Sequence, residues 1–310
     1  MDISVKLKER FCKDYKIPIN LFQEPYFTER INLYDAIYES VYKYKRFIYA
    51  LSKYDTEQDY FEEYNRVKDT AIDFIKATEA YQRFNTEDMN KFAVDNRGIS
   101  KHDIFRPSND GKLFISIDMV KANFSALSHY DNSIFDGAET WEDFIYKFTD
   151  NEHIIHSKYI RQVILGNCNP KRHVTYERYL MSKVLDIIED YKIIDSVVFY
   201  SDDEIVIDMT EVDLVMSEFE AFCAVFNSLS FPLRFEYFTL HKIGGIDGYV
   251  KRFRSDCGAP RVEFKCIDAY SLPFIMRRYL GEDITENDKV FYHNGYLAKY
   301  IEIPDVELRW

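Results

Sequence analysis

Glycine and proline are scarce in this sequence, at 10 and 8 of 310 residues. That scarcity excludes collagen-like and low-complexity classes. Cysteine is sparse as well. The five residues, at 12, 168, 223, 257 and 266, are odd in number and irregular in spacing. They form no Cys-x-x-Cys pair and no Cys/His zinc pattern, so a disulfide framework is not expected. Reduced thiols in a cytoplasmic setting are expected instead, or in the host cytoplasm if the protein is viral. No apolar run approaches the roughly 18 residues that span a bilayer, and Met1-Asp2-Ile3-Ser4-Val5-Lys6 has no signal-peptide pattern. No membrane partner is expected. Basic charge is also in deficit: 40 Lys and Arg stand against 53 Asp and Glu, a net charge of −13. A protein that coats nucleic acid without specificity needs a basic face. An acidic total argues against that class but leaves room for a local basic groove.

What the sequence does contain is globular. Apolar residues make up 46% and charged residues 30%, and Tyr and Phe number 25 each. Rings at that density supply both core and stacking surfaces for bases. The length suits one large domain or two modest ones.

Three segments separate. Residues 1–95 read as helical. Ile31, Tyr34, Ile37, Val41, Tyr44, Ile48 and Leu51 recur at helical spacing. A second helix starts at a capping box formed by Thr56 and Asp59, with the stripe Phe61, Tyr64, Val67, Ala71, Phe74 and Ile75. Residues 96–112 are loop-like and open a segment expected to run over 96–255. Here Leu113-Phe114-Ile115-Ser116-Ile117 is a β-rich run that ends at Asp118. Residues 139–148 and 173–190 read as helices. Val197-Val198-Phe199-Tyr200, the polar turn Ser201-Asp202-Asp203 and Glu204-Ile205-Val206-Ile207-Asp208 read as a hairpin with acids at its tip. A helix at about 211–229 and a strand at about 232–243 follow. Gly244, Gly245 and Gly248 read as a turn. Residues 256–310 are mixed: a strand at Val262–Ile267, a helix at Leu272–Leu280 and a hairpin around Asn294-Gly295. The expected class is α+β, with a helical N-terminal region, an antiparallel sheet bearing helices on one face, and a small C-terminal region.

The acids carry the chemistry. Mg²⁺ takes oxygen ligands, usually one or two carboxylates plus substrate phosphates. Two-metal phosphoryl transfer sets two ions about 3.5–4 Å apart. One Asp at a strand end and one or two acids at an adjacent hairpin tip build such a site, and Asp118 and Asp202-Asp203-Glu204 have that setting. The plain alternative is a decorative acidic turn, since Asp is a favoured turn residue.

Tyr200-Ser201-Asp202-Asp203 between apolar strands resembles the YxDD hairpin of reverse transcriptases, their motif C. Phe114-Ile115-Ser116-Ile117-Asp118, with Phe124 six residues on, is similar to motif A. Gly166-Asn167-Cys168-Asn169-Pro170 stands where motif B lies but departs from its LPQG-type sequence. Leu240-His241-Lys242 resembles the lysine-bearing motif D. A second resemblance competes. Tyr200 to Asp208 is similar to the YSIDE segment of Y-family translesion polymerases, which makes the ligands Asp118, Asp203 and Glu204. Both resemblances imply a polymerase palm followed by a thumb-like C-terminal region, and metal-dependent nucleotidyl transfer by Asp118 and Asp203 with Mg²⁺ or Mn²⁺. They differ on whether Asp202 or Glu204 completes the set.

Residues 157–183 hold six cations against Glu177, and residues 242–265 hold six against Asp247, Asp256 and Glu263. Lys158 and Arg161, three apart, share a helix face and suit an incoming nucleoside triphosphate. Asn123 or Phe124 suits the sugar, Lys171, Arg172, Lys251 and Arg252 suit a nucleic-acid template or primer, and Lys242 suits a general acid. His129, His153, His156 and His173 read as surface or hydrogen-bonded residues rather than ligands. The competing function is a degenerate palm acting as a structural or interaction module with a protein partner, for example in a phage or mobile element.

Overall fold

The computed structural model describes residues 3–212, 214–255 and 261–309. Asp256, counted among the acids above, and Cys257 lie outside the described residues. The N-terminal region is helical: α1 Val5–Tyr15, α2 Tyr26–Leu33, α3 Asp35–Tyr38, α4 Ser40–Leu51, α5 Glu57–Ala77 and α6 Glu79–Thr86. The single helix expected over 31–51 is broken, because Glu39 takes a left-handed conformation (φ 50°). Side chains secure the break. Ser40 Oγ donates to the Ile31 carbonyl at 2.5 Å, and Asp35 Oδ1 accepts from the Val41 N–H at 2.8 Å. The capping box of α5 forms as read: Thr56 Oγ1 accepts from the Asp59 N–H at 3.2 Å, and Asp59 accepts from the Thr56 N–H at 2.9 Å. Phe61, Tyr64, Val67, Ala71 and Ile75 of its stripe are buried.

The sheet follows. Strand β1 is Leu113–Met119. Five helices come next, α7 Ala122–Tyr130, α8 Trp141–Tyr146, α9 Glu152–His156, α10 Lys158–Gly166 and α11 Pro170–Asp190. The hairpin β2 Val197–Tyr200 and β3 Glu204–Asp208 leads to α12 Met216–Ala224 and β4 Leu233–Lys242. The helix expected at 211–229 shortens to α12 and one further turn, Val225–Ser228. Two more strands, β5 Tyr249–Phe253 and β6 Val262–Lys265, extend the sheet to the order β2-β3-β1-β4-β5-β6, antiparallel throughout. β5 is absent from the sequence reading, and β6 continues the sheet beyond residue 255. β1 to β4 alone trace strand–helix–hairpin–helix–strand, the split βαβ path.

Alternation along the strands gives each face its character. Ile115, Ile117, Met119, Ile205 and Ile207 join the main core with the helices. Phe114, Val206, Phe238, Leu240 and Phe253 form a separate small cluster on the other face, closed by Ile104 from the loop before β1. Helices therefore pack on one face, as the α+β reading expects. The Gly244–Gly248 turn is tight: the Ile243 N–H donates to the Gly248 carbonyl at 3.0 Å. Gly245, at φ 78°, is required there, since a Cβ would stand 1.8 Å from the Asp305 carbonyl oxygen.

The last elements are α13 Leu272–Leu280 and the hairpin β7 Val290–His293 and β8 Tyr296–Lys299. Asn294 and Gly295, both at positive φ, make its turn. A buried ion network ties this region to α2. Arg30 Nη1 donates to Asp288 Oδ1 at 2.8 Å, and Arg277 Nε donates to Asp288 Oδ2 at 2.9 Å. Among the described residues no helix is long and apolar enough to cross a membrane.

Candidate functional site

Pairing fixes where the acids stand. Asp118, next to last in β1, lies opposite Glu204 on β3 and Arg234 on β4. The hairpin tip is drawn to the same end of the sheet, where the Met119 N–H donates to the Asp203 carbonyl at 2.8 Å. Asp118 and Asp203 open there into a cleft of 590 Å³. Two helix faces form its far wall. α10 contributes Lys158, Arg161, Gln162, Leu165 and Gly166, and α11 contributes Pro170, His173, Val174 and Glu177. Both sets follow i, i+3, i+4, i+7 spacing, one side of a helix each. Asn123 and Arg234 complete the rim.

A buried polar cluster holds α10 in place. Asp14 of α1 lies 2.7 Å from His153 Nε2 and accepts from Ser157 Oγ at 2.8 Å and from the Tyr64 hydroxyl at 3.2 Å. Ser157 in turn caps α10, accepting from the Ile160 N–H at 3.0 Å. Lys158 and Arg161 are thereby oriented from the helix start. The loop Gly166 to Pro170 joins the cleft helices, turning at Asn169 (φ 59°) into a proline at the first position of α11.

Burial dominates the electrostatics of the cleft. Burial pushes the Asp118 carboxyl up to about 6; Arg234 pulls it down, while Glu204, Asp203 and Glu236 push it further up. Glu177 is buried and, among the described residues, has no hydrogen-bond or salt-bridge partner. Burial first, then Asp203 and Asp202, push it up to about 8. The cations are depressed in turn. Burial lowers Lys158, and Arg161, Lys16 and Arg234 lower it further, while Asp118 opposes. Burial also lowers Arg161, whose Nε is buried without a partner. A cleft with depressed cations and raised acids is incompletely compensated, and an anion such as a triphosphate together with a cation would complete it.

Other expected residues stand elsewhere. Asp202 is turned to Arg178 of α11, and Glu204 accepts from Ser116 Oγ with Lys251 Nζ at 4.0 Å. Neither lines the cleft. Among the described residues no three His, Cys, Asp or Glu side chains form a ready ligand group. The expectation for Phe124 is corrected. It is buried in the core against Phe135 (4.6 Å) and Trp141 (6.1 Å), and Asn123 alone faces the cleft. Lys242 is corrected as well. β4 runs antiparallel to β1, so its first residues reach Asp118 and Lys242 ends at the far side, roughly 26 Å from Arg234 at 3.3 Å per residue. There Lys242 Nζ donates to the Ile246 carbonyl. Lys251 is buried and donates to Glu236 at 3.2 Å, and Arg172 donates to the Phe84 carbonyl at 2.9 Å. Both are committed within the protein rather than free for nucleic acid. Lys171 is exposed at the start of α11, and Arg252, half-buried, lies near His241; neither lines the cleft.

The histidines are hydrogen-bonded or at the surface: His129 with Tyr176 at 3.0 Å, His153 with Asp14, and His156 exposed beside Glu152. His173 faces the cleft, pushed down to about 4 by burial. Sequence reasoning missed Arg234, Glu177, Gln162 and His173 as cleft residues. The i, i+3, i+4, i+7 rows on 158–166 and 170–177 are the signal that points to three of them. No protein-family model matches the chain, and no curated protein or solved structure matches it.

Proposed function

We propose that the chain is a metal-dependent nucleotidyltransferase, and that it extends a nucleic-acid primer on a template from nucleoside triphosphates. The observation that carries this reading is the cleft itself: Asp118 and Asp203 at one sheet end face Lys158 and Arg161 across 590 Å³. Two carboxylates plus substrate phosphates are the usual holding set for Mg²⁺, so no third protein ligand is required. Burial first, and the neighbouring acids after it, raise Asp118 and Glu177, and a cation bound between them would favour their charged forms. Mg²⁺ or Mn²⁺ bound there would polarise the attacking and leaving oxygens and neutralise developing charge.

In this reading Lys158 and Arg161 hold the triphosphate, and Asn123 orients the sugar. The primer 3′-hydroxyl oxygen gives up its proton to solvent water and bonds to the α-phosphorus as the bond to the bridging oxygen breaks, releasing pyrophosphate. The split βαβ sheet with acids at one end supports the palm resemblance, and Gly166 and Pro170, the two ends of the loop that stands where motif B would, line the cleft.

The competing reading, a degenerate palm serving as an interaction module, draws on one observation. Arg234 Nη2 stands 2.9 Å from Asp118, and Arg178 pairs with Asp202, so two of the acids are already neutralised from within. Incorporation of labelled dNTPs or rNTPs on primed DNA and RNA templates with Mg²⁺ or Mn²⁺ decides between them, run beside Asp203→Ala. Incorporation that the substitution abolishes supports the transferase. No incorporation, with no metal-induced rise in Tm, supports the module.

A further inference from the structure

Helix α4 presents an exposed row that the cleft does not use. Residues 40–54 hold Lys43, Lys45, Arg46 and Lys53 and no acid, in a chain of net charge −13. Tyr42, Lys45, Arg46 and Tyr49 are all exposed and fall at i, i+3, i+4 and i+7, one side of the helix, and exposed Lys53 follows in the turn after it. Tyr49 is 73% and Tyr42 60% exposed, so both rings are open to a partner. The five residues, with Ala50 and Glu152, line a groove of 470 Å³. The Arg46 guanidinium lies over the Tyr42 ring at 5.8 Å. The cations are loosely held. Arg46 meets Glu152 at 3.5 Å and Lys53 meets Asp150 at 3.6 Å, both with exposed acids, and Lys45 has no salt bridge among the described residues. Exposed pairs of this kind exchange readily for a phosphate.

Arg46 and Tyr42 lie within electrostatic reach of Tyr15 at the end of α1, and Lys16 lies within reach of Lys158. Lys16 Nζ stands over the Tyr159 ring at 5.7 Å. Cations and rings thus run from α10 across the end of α1 to α4.

We propose that the exposed row of α4 is a binding track for single-stranded nucleic acid, with bases stacked on Tyr42 and Tyr49 and phosphates met by Lys45, Arg46 and Lys53. Charge complementarity selects the occupant. Rings alone suit an apolar peptide, but rings interleaved with cations on an otherwise acidic protein match a strand with open base faces and a charged backbone. Tyr42 and Tyr49 stand about 10.5 Å apart along the axis, at 1.5 Å per residue, so bases on the two rings are separated rather than adjacent. The track does not depend on the catalytic reading of the cleft.

The test is fluorescence anisotropy of labelled dT20 and rU20 with the full chain at low and moderate salt. Binding that weakens as salt rises is expected, and Tyr42→Ala/Tyr49→Ala should weaken it at least tenfold. Tyr42→Phe/Tyr49→Phe should retain it, because stacking needs the ring and not the hydroxyl. These rings are exposed, so an unchanged Tm verifies the fold of each variant. Binding is read without metal or triphosphate, which separates failure of the track from failure of the catalytic reading. Absence of oligonucleotide binding overturns the proposal. So does a Tyr42→Ala/Tyr49→Ala variant that binds as wild type, or a groove that takes up only anionic vesicles.

Discussion

Arg234 and Asp118 face each other across neighbouring strands, guanidinium to carboxylate at 2.9 Å, at the mouth of the cleft. The arginine gives the carboxylate a cationic partner from within the chain. Its side chain is 58% exposed, so the pair itself is worth at most about 1 kcal/mol. Arg234→Ala should therefore lower the metal-free Tm only slightly. It should also enlarge the rise in Tm on adding Mn²⁺, because the carboxylate loses its internal partner. Thermal melts with and without Mn²⁺ check both. A smaller metal effect in the variant would show that Arg234 assists the site rather than competes for it.

Glu177 gives a pH signature. A buried carboxyl whose folded-state pKa is raised binds its proton more tightly in the native chain than in the unfolded one. It costs nothing below the unfolded value and destabilises progressively as pH rises to about 8. Glu177→Gln removes the charge but keeps the shape. Its Tm should match wild type near pH 4 and exceed it above pH 8. The gain should be a few kcal/mol, at about 1.4 kcal/mol per pH unit. Bound Mg²⁺ should narrow the difference. Urea melts across pH 4 to 9 measure it.

The Asp14 cluster predicts a stability loss that reaches the cleft. Asp14→Ala strands His153, Ser157 and Tyr64 in the interior, at a cost of about 3–5 kcal/mol. Ser157→Ala removes only the α10 cap and one partner, nearer to about 1 kcal/mol. If α10 is positioned this way, both variants weaken triphosphate binding in the same order as they lower Tm. Titration with a non-hydrolysable triphosphate, well below each Tm, reads it out.

Asn123 and Phe124 should separate cleanly. Phe124→Ala opens a hole among Phe135 and Trp141 and costs about 3–5 kcal/mol. Asn123→Ala at the cleft rim should leave Tm nearly unchanged and alter discrimination between dNTPs and rNTPs. A change in sugar preference confined to the Phe124 variant would refute the assignment.

Much of the sheet was legible because alternation and turn chemistry are local. The strand ending at Asp118, the acidic hairpin, the strand over 233–242 and the Asn294-Gly295 hairpin all rest on such signals. The cleft was legible only in part, since its walls come from pairing direction. Which end of β4 meets Asp118 is set by an antiparallel register, and nothing near Lys242 announces it. Phe124 looked like a site residue by its distance from Asp118, but the helix beginning at Ala122 turns it into the core. Glu177 entered the reading as one charge in a sum. Its meaning comes from the side of α11 on which it falls. The break at Glu39 was hidden because Ser40 and Asp35 secure it by contacts that a periodic stripe does not record.

Arg30 and Asp288 are 258 positions apart and share two buried hydrogen bonds, one to the carboxylate and one to the backbone carbonyl. A deletion that removes α2 takes Arg30 from Asp288 and leaves the carboxylate with Arg277 as its remaining cation, and a deletion that removes the 285–290 segment strands Arg30. The two truncations therefore break the same contact from opposite sides. They should unfold with one shared defect, and the remaining sheet should not hold the N-terminal helices as a separable piece.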